Sequence, residues 1–360
     1  MPHHQSASRR FLTRRQFAGA TTAAGGGLLF GQRLTIAARP DATPGTPAAT
    51  PVGGNLTVYC GRNEELVGGV IPAIESATRV TLDVRYGNTA ELAAQILEEG
   101  GNTPAGLFFG QDAGALGALA NGGVLAPLPP ATLALVDPSF RSDAGLWVGV
   151  SGRVRTLVYN TGVTDPTTLP ASILDLPSAE LGGPIGWAPT NASFQSFVTA
   201  LRVTAGEDTA REWLEAMIAS GAVVFENNGT QLTAVASEEI AVGLVNHYYL
   251  FEARIETPDI PVENYYFANG DLGSLINVAG VGIIAGSGQE PQAEAVAAAL
   301  LGSEAQTYFS EVTSEYPLVA GIPANPELVP LADLEAPDID LSDLADLEGT
   351  LGLLTEVGLI

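Results

Sequence analysis

Fifteen arginines, forty acidic residues, three histidines, one cysteine and no lysine make up the charged and nucleophilic equipment of this 360-residue chain. The missing lysine removes the Walker-type phosphate loop, Schiff-base chemistry and serine–lysine dyads together. Cys60 stands alone, so neither an internal disulfide nor a cysteine-rich zinc or iron–sulfur site can form. His3 and His4 lie at the start of the chain, and any histidine-dependent catalysis further on would have to run through His247. The usual means of an enzyme are therefore largely absent.

All forty acidic residues follow residue 40, where only nine arginines, Arg62 to Arg254, accompany them, and the whole chain carries a net charge of −25. A surface of that sign repels nucleic acid and anionic membrane, so no nucleic-acid partner is expected. Hydrophobic residues at 46% exclude a disordered acidic protein.

The N-terminal residues read as an address. Arg9-Arg10 and Arg14-Arg15 precede a weakly apolar run from Ala18 to Phe30, and Thr13-Arg14-Arg15-Gln16-Phe17 fits the twin-arginine export pattern. Glycines at 25–27 and Gln32-Arg33 make that run too short and too polar for a membrane span. Residues 1–39 are thus expected to be an export signal, with cleavage near Ala37-Ala38; left uncleaved, it would tether the protein to the membrane. Residues 40–54 form a Pro/Thr/Ala linker that cannot bury a core. The expected location is the periplasm or the outer face of the cell membrane.

From residue 55 short apolar strands alternate with amphipathic helices. Strands are predicted at 56–59, 80–86, 107–109, 154–160, 184–187, 223–225, 240–245 and 278–284. Helices are predicted over 64–77 (broken at Pro72), 89–99, 113–120, 193–204, 208–220, 230–238, 292–301, 304–313 and about 351–359. Such alternation implies largely parallel sheets covered by helices. About three hundred residues suffice for two lobes with separate cores. Alternation alone fits a doubly wound enzyme nearly as well as a bilobed binding protein.

Residues at particular positions favour the second. Val58-Tyr59-Cys60-Gly61-Arg62-Asn63-Glu64, Arg85-Tyr86-Gly87 and Ala90-Glu91-Leu92-Ala93 come first, then Phe108 to Ala113. Ser151-Gly152-Arg153-Val154-Arg155, Pro189 to Gln195, Asn246-His247-Tyr248-Tyr249 and Glu315-Tyr316-Pro317-Leu318 follow in order. The ordered set resembles the periplasmic ferric-ion-binding proteins, substrate-binding components of Fe3+ ABC importers. The resemblance covers almost all the chain after the linker. It implies an α/β, two-lobe type II periplasmic-binding-protein fold, each lobe a mixed, mostly parallel sheet flanked by helices, with ligand in the interlobe cleft. Lobe 1 is expected over residues 55–155 plus about 278–330, and lobe 2 over 156–277 plus about 331–360.

What the resemblance implies for function follows residue by residue. Tyr248 and Tyr249 match two phenolate ligands of Fe3+, a hard cation that prefers anionic oxygen. A free phenol has a pKa of about 10, so coordination must expel its proton. Carbonate or phosphate is implied as a synergistic anion. Asn191, Ala192 and Ser193, at the opening of a predicted helix, offer N–H groups to it, and Arg155, Arg153, Asn228 and Asn246 match or neighbour its contacts. The sequence also departs from the family. A histidine ligand of some members falls at Asn63, a glutamate ligand at Gln111, and a third tyrosine of others at Asn191. Asp112 and Glu64, one residue from the expected places, become the candidate carboxylates. His247 matches a position that holds no metal and is expected to be structural.

The leading reading is a monomeric solute-binding protein, not an enzyme, that captures Fe3+ with an anion for an ABC permease. The same scaffold binding an organic anion, such as a phosphonate or sugar phosphate, is the alternative. An exported enzyme is the third and least favoured.

Overall fold

A computed structural model describes residues 51–360; the expected export signal and the expected linker up to residue 50 lie outside the described residues. The first sheet begins with β1 (Gly54–Cys60), followed by the short helix α1 (Glu64–Val67) and α2 (Ile71–Thr78). The helix expected over 64–77 is thus interrupted, not at Pro72 but before it, by a 3-10 turn at Gly68–Val70. Pro72 sits in the first turn of α2, where its missing N–H would have had no helical partner. Strand β2 (Val80–Tyr86), helix α3 (Thr89–Glu99), strand β3 (Leu107–Gly110) and helix α4 (Ala113–Asn121) complete the first alternation. Asn88 and Asp112 cap α3 and α4 through their side chains, and α3 stops at Gly100, whose positive φ of 52° suits a residue without Cβ.

After β4 (Leu125–Ala126) and α5 (Pro130–Leu133) comes β5 (Trp147–Asn160), fourteen residues buried throughout. Only its second half was expected. Gly149 and Gly152 weaken the strand signal, yet the first is required: a Cβ on Gly149 would stand 2.7 Å from the Phe140 carbonyl oxygen and 2.9 Å from Leu318, and one on Gly152 would be tight against Leu318 at 3.1 Å. The chain continues through β6 (Ile185–Trp187), α6 (Ala192–Ala205), α7 (Glu207–Ala219), β7 (Val223–Val224), α8 (Asn228–Ala236) and β8 (Val242–Asn246). Helix α9 (Tyr248–Glu256) and strand β9 (Val262–Tyr265) follow. Then come β10 (Ile276–Ile284), α10 (Glu290–Leu300), α11 (Ser303–Glu311), β11 (Tyr316–Pro317) and α12 (Leu347–Glu356).

The strands run β2-β1-β3-β10-β5-β8-β6-β7, with β4 on β10 and both β9 and β11 on β5. Strands β2, β1 and β3 are mutually parallel, as are β8, β6 and β7, whereas β5 and β10 are antiparallel to their neighbours. Strand β5 belongs to both halves. Its residues 147–154 pair with β10, and 155–160 pair with β8 and β9. A continuous strand shared by two sheets holds them together, and the described residues form one compact unit.

The second half is packed around aromatic edges. Trp187 meets Phe194 edge-on at 5.7 Å and Trp213 at 6.3 Å, and Phe197 meets Trp213 at 5.4 Å. These contacts fix α6 and α7 against β6, and with them the start of α6. No described helix is long and apolar enough to cross a membrane.

Candidate metal centre

The parallel strands of both halves end on one opening. Strand β1 ends at Cys60, β3 at Gly110, β6 at Trp187, β7 at Val224 and β8 at Asn246. The next few residues after each of them line a cleft of about 260 Å3: Gly61 and Asn63, Gln111, Thr190 to Ala192, Glu226 and Asn227, and Tyr248, Tyr249 and Glu252. Open α/β sheets place ligands outside the carboxyl ends of their strands, where loops and helix N-termini converge. At Gly61 the walls approach so closely that a Cβ would meet Thr89 Oγ1 at 2.1 Å.

Strand β8 passes into α9 through one residue, His247, already helical at φ −55° and ψ −36°. Neighbours on a strand point apart, but neighbours at the start of a helix are turned by only roughly 100°. Tyr248 and Tyr249 can therefore share the cleft, and their rings stack at 4.5 Å and 28°. Gln111 Nε2 donates to the Tyr248 hydroxyl at 3.4 Å. Burial raises both phenols above their ordinary pKa, Tyr249 strongly, and the neighbouring Tyr248 adds to the shift of Tyr249. Arg62 works against that rise at Tyr248. Its guanidinium lies fully buried in a two-pronged pair with Glu315, at 3.0 and 2.8 Å.

His247 itself is spent on structure. Its Nδ1 accepts the Val154 N–H at 3.1 Å, so Nε2 must carry the proton that it shares with the Ser314 carbonyl at 2.9 Å. Burial holds the ring neutral, with its pKa pushed down to about 4.

A second group of polar residues lies at and beneath the N-terminus of α6. Asn191 caps the helix by accepting the Ser193 N–H at 3.0 Å, and the Ala192 N–H has no partner among the described residues. The buried Ser193 hydroxyl accepts from Arg153 Nε and Asn246 Nδ2, each at 3.2 Å. Among the described residues, Arg153 keeps both terminal nitrogens unpartnered, and Arg155, stacked over Phe194 and Phe197 at 5.4 Å each, keeps Nε and Nη1 unpartnered. Burial pushes the Arg155 pKa down to about 9, with Arg153 beside it adding to the shift. Two buried guanidinium groups with spare donors form an electrostatic deficit that an anion can fill. Asn228 is also buried; its carbonyl takes Gln231 Nε2 at 3.1 Å and its own Nδ2 is unpartnered.

The cleft thus brings together Tyr248, Tyr249, Gln111, Asn63, Asn191 and Ala192. Ser193, Arg153, Arg155, Asn228 and Asn246 lie outside its lining. Asp112 and Glu64 do not line it either. Asp112 is buried as the cap of α4, accepting Ala115 N–H and Ser196 Oγ at 3.0 Å each, and Glu64 is an exposed residue in the first turn of α1. Among the described residues no three His, Cys, Asp or Glu side chains cluster as a metal site. Sequence reasoning overlooked Glu252 and Glu226. The first was within reach, since a helix starting at Tyr248 puts residue 252 one turn along the same face.

The family of bacterial extracellular solute-binding proteins matches residues 102–342. The Fe(3+)-binding periplasmic protein of Serratia marcescens is 32% identical over 308 residues, 85% of this chain and 90% of its own length. The chain belongs to the periplasmic ferric-ion-binding family. Iron-bound HitA from Pseudomonas aeruginosa superposes with a TM-score of 0.81 at 32% identity, covering 84% of this chain and 99% of HitA. Trichodesmium IdiA (FutA), solved with iron and citrate ligands, gives 0.73 at 26% identity, covering 85% of this chain and all of the other. The two-lobe binding-protein fold expected from the sequence is therefore the fold of this family member. The relatives are named as binding proteins rather than enzymes.

Proposed function

We propose that this protein captures Fe3+ outside the cytoplasm, with Tyr248 and Tyr249 as phenolate ligands, and hands it to an ABC permease. One observation carries the reading: two stacked phenols share a cleft that offers no histidine or cysteine. Phenolate oxygen is a hard anionic donor suited to a trivalent cation, and the cleft lacks the softer donors that favour zinc or copper. Their position in the first turn of α9 helps, because the positive end of the helix dipole stabilises the anion left when a phenol ionises. The named ligands of similar proteins, Fe(3+) in Serratia and iron in HitA, support the same cargo.

In this reading carbonate or phosphate sits at the N-terminus of α6. The Ala192 N–H and the Asn191 cap face the cleft, and Arg153 lies behind them through Ser193. The spare donors of Arg153, Arg155 and Asn228 support an anion, though not its identity. Gln111 and Asn63 line the cleft and supply neutral amides to it. The proposal includes export by the twin-arginine sequence, action as a monomer without catalysis, and lobes spanning 55–155 with about 278–330 and 156–277 with about 331–360. The change of strand partner between Val154 and Arg155 supports that boundary.

The test is the visible spectrum of protein loaded with ferric citrate and bicarbonate. A phenolate-to-Fe3+ charge-transfer band is expected, and it disappears in Tyr248→Phe/Tyr249→Phe. Calorimetry that finds tight binding of a sugar phosphate and none of iron would reject the reading.

A further inference from the structure

Fe3+ held by two phenolates keeps one positive charge in a partly enclosed cleft, where the anion proposed above is itself offset by the buried Arg153 and Arg155. Apart from two glutamates, the other polar side chains lining the cleft are neutral amides and hydroxyls, Asn63, Gln111 and Asn191 among them. The two acidic residues lining the cleft are Glu226, which is exposed, and Glu252, which is partly buried on α9.

Glu252 follows Tyr248 by four residues and Tyr249 by three, the two spacings that bring side chains together on one helix face. Long helical side chains lean toward the N-terminus, so its carboxylate leans toward the turn that carries the two phenols. It makes no hydrogen bond or ion pair with any other side chain among the described residues. That isolation is unusual in this protein: the buried Glu315 is paired with Arg62, and the buried Asp112 is engaged by Ala115 and Ser196. A partly buried carboxylate beside two phenols, in ion pair with no cation and reached only by the charge of the already paired Arg62, is poorly compensated until a cation enters.

From this arrangement we infer that the Glu252 carboxylate is a third protein ligand of the Fe3+ ion bound by Tyr248 and Tyr249. The inference rests on the reading proposed above and deepens it. Two phenolates and one carboxylate carry three negative charges, so a trivalent ion is neutralised by the protein alone. Divalent cations would leave the same set with an excess negative charge. The three donors come from one helix, α9, so helix geometry sets their spacing. Glu252 supplies a charged donor from the second half of the fold, where Gln111 and Asn63 supply only amides from the first.

The experiment compares wild-type protein with Glu252→Gln, Glu252→Ala, the exposed helix neighbour Glu256→Gln, and Tyr248→Phe/Tyr249→Phe. Each is loaded with ferric citrate and bicarbonate, then challenged with citrate while the visible band is recorded. Loss of one ligand is expected to weaken iron binding by at least about tenfold to a hundredfold in Glu252→Gln and to shift the band, with Glu256→Gln unchanged. In Glu252→Ala, added acetate restores the band toward wild type, because a free carboxylate takes the vacant position. If Glu252→Gln matches wild type in both band and citrate resistance, the inference is wrong while the tyrosine reading stands. If Glu252→Ala loses iron and acetate restores nothing, Glu252 only supports the fold of α9, and the inference also fails. A band that survives in the double tyrosine variant overturns the underlying reading instead.

Discussion

Val154 and His247 are bonded to each other twice: the Val154 N–H donates to His247 Nδ1 at 3.1 Å, and the Val154 carbonyl accepts the His247 N–H at 2.9 Å. Val154 is the last residue of β5 paired with β10, and His247 immediately precedes the two tyrosines. The opposite ring nitrogen reaches the carbonyl of Ser314, which is held at a positive φ of 53°. One neutral imidazole thus fastens the phenol-bearing turn both to the shared strand and to the segment carrying Glu315.

Because the fold requires that imidazole neutral, stability must depend on pH in a definite direction. The folded pKa of about 4 lies below the ordinary value of 6.5, so the unfolded chain binds the extra proton first. Metal-free protein is therefore expected to lose of order 3 kcal/mol of stability as pH falls from about 6.5 toward 4. His247→Gln should be less stable at pH 7 and should show a flatter profile across that window. Urea denaturation at a series of pH values measures both.

Iron binding should release protons. Both phenols are raised above the ordinary tyrosine range by burial, so at neutral pH each must give up a proton to coordinate. About two protons per ion are expected from the phenols at pH 7, read by pH-stat titration, and the apparent affinity falls steeply with acidification. A single substitution, Tyr248→Phe or Tyr249→Phe, should halve the tyrosine-derived release.

Arg153 should be unhelpful to the empty protein and necessary to the loaded one. Its two spare nitrogens are buried without a partner, and replacing such a charge with an apolar side chain is often neutral or stabilising. Metal-free Arg153→Met is expected to unfold within about 1 kcal/mol of the parent or above it. The rise in melting temperature produced by phosphate or carbonate in the parent should be lost. Differential scanning calorimetry with and without each anion supplies the comparison.

The Arg62–Glu315 pair should behave in the opposite way when only one partner is removed. Both side chains are fully buried and doubly bonded, so Glu315→Gln or Arg62→Met leaves a buried charge and should cost about 3–5 kcal/mol. Arg62→Met/Glu315→Leu should recover most of that loss. The cycle is measured by equilibrium urea unfolding.

Much of the architecture was legible along the chain because its signals are local. Asn88, Asp112 and Asn191 each announce a helix start, and each caps one through its side chain. Other elements were hidden for physical reasons. The first half of β5 carries two glycines, of which Gly149 is demanded by close neighbours, and β9, Val-Glu-Asn-Tyr, is a short partly polar strand held by pairing with β5. Asp112 shows the limit at the site. Its position one residue from Gln111 made it a candidate ligand, yet its side chain turns away to cap α4.

The class of fold, the family, and the adjacent tyrosines after a strand follow from residue order alone, because propensity and capping act between near neighbours. Which side chains face one another across the cleft is set by long-range packing. Gln111 meets Tyr248 from 137 positions away, Arg153 lies behind the start of α6, and Glu252 stands by the phenols without a partner. Such relations arise from chain segments packed at a distance, where burial removes water and leaves each charge to the groups that happen to surround it.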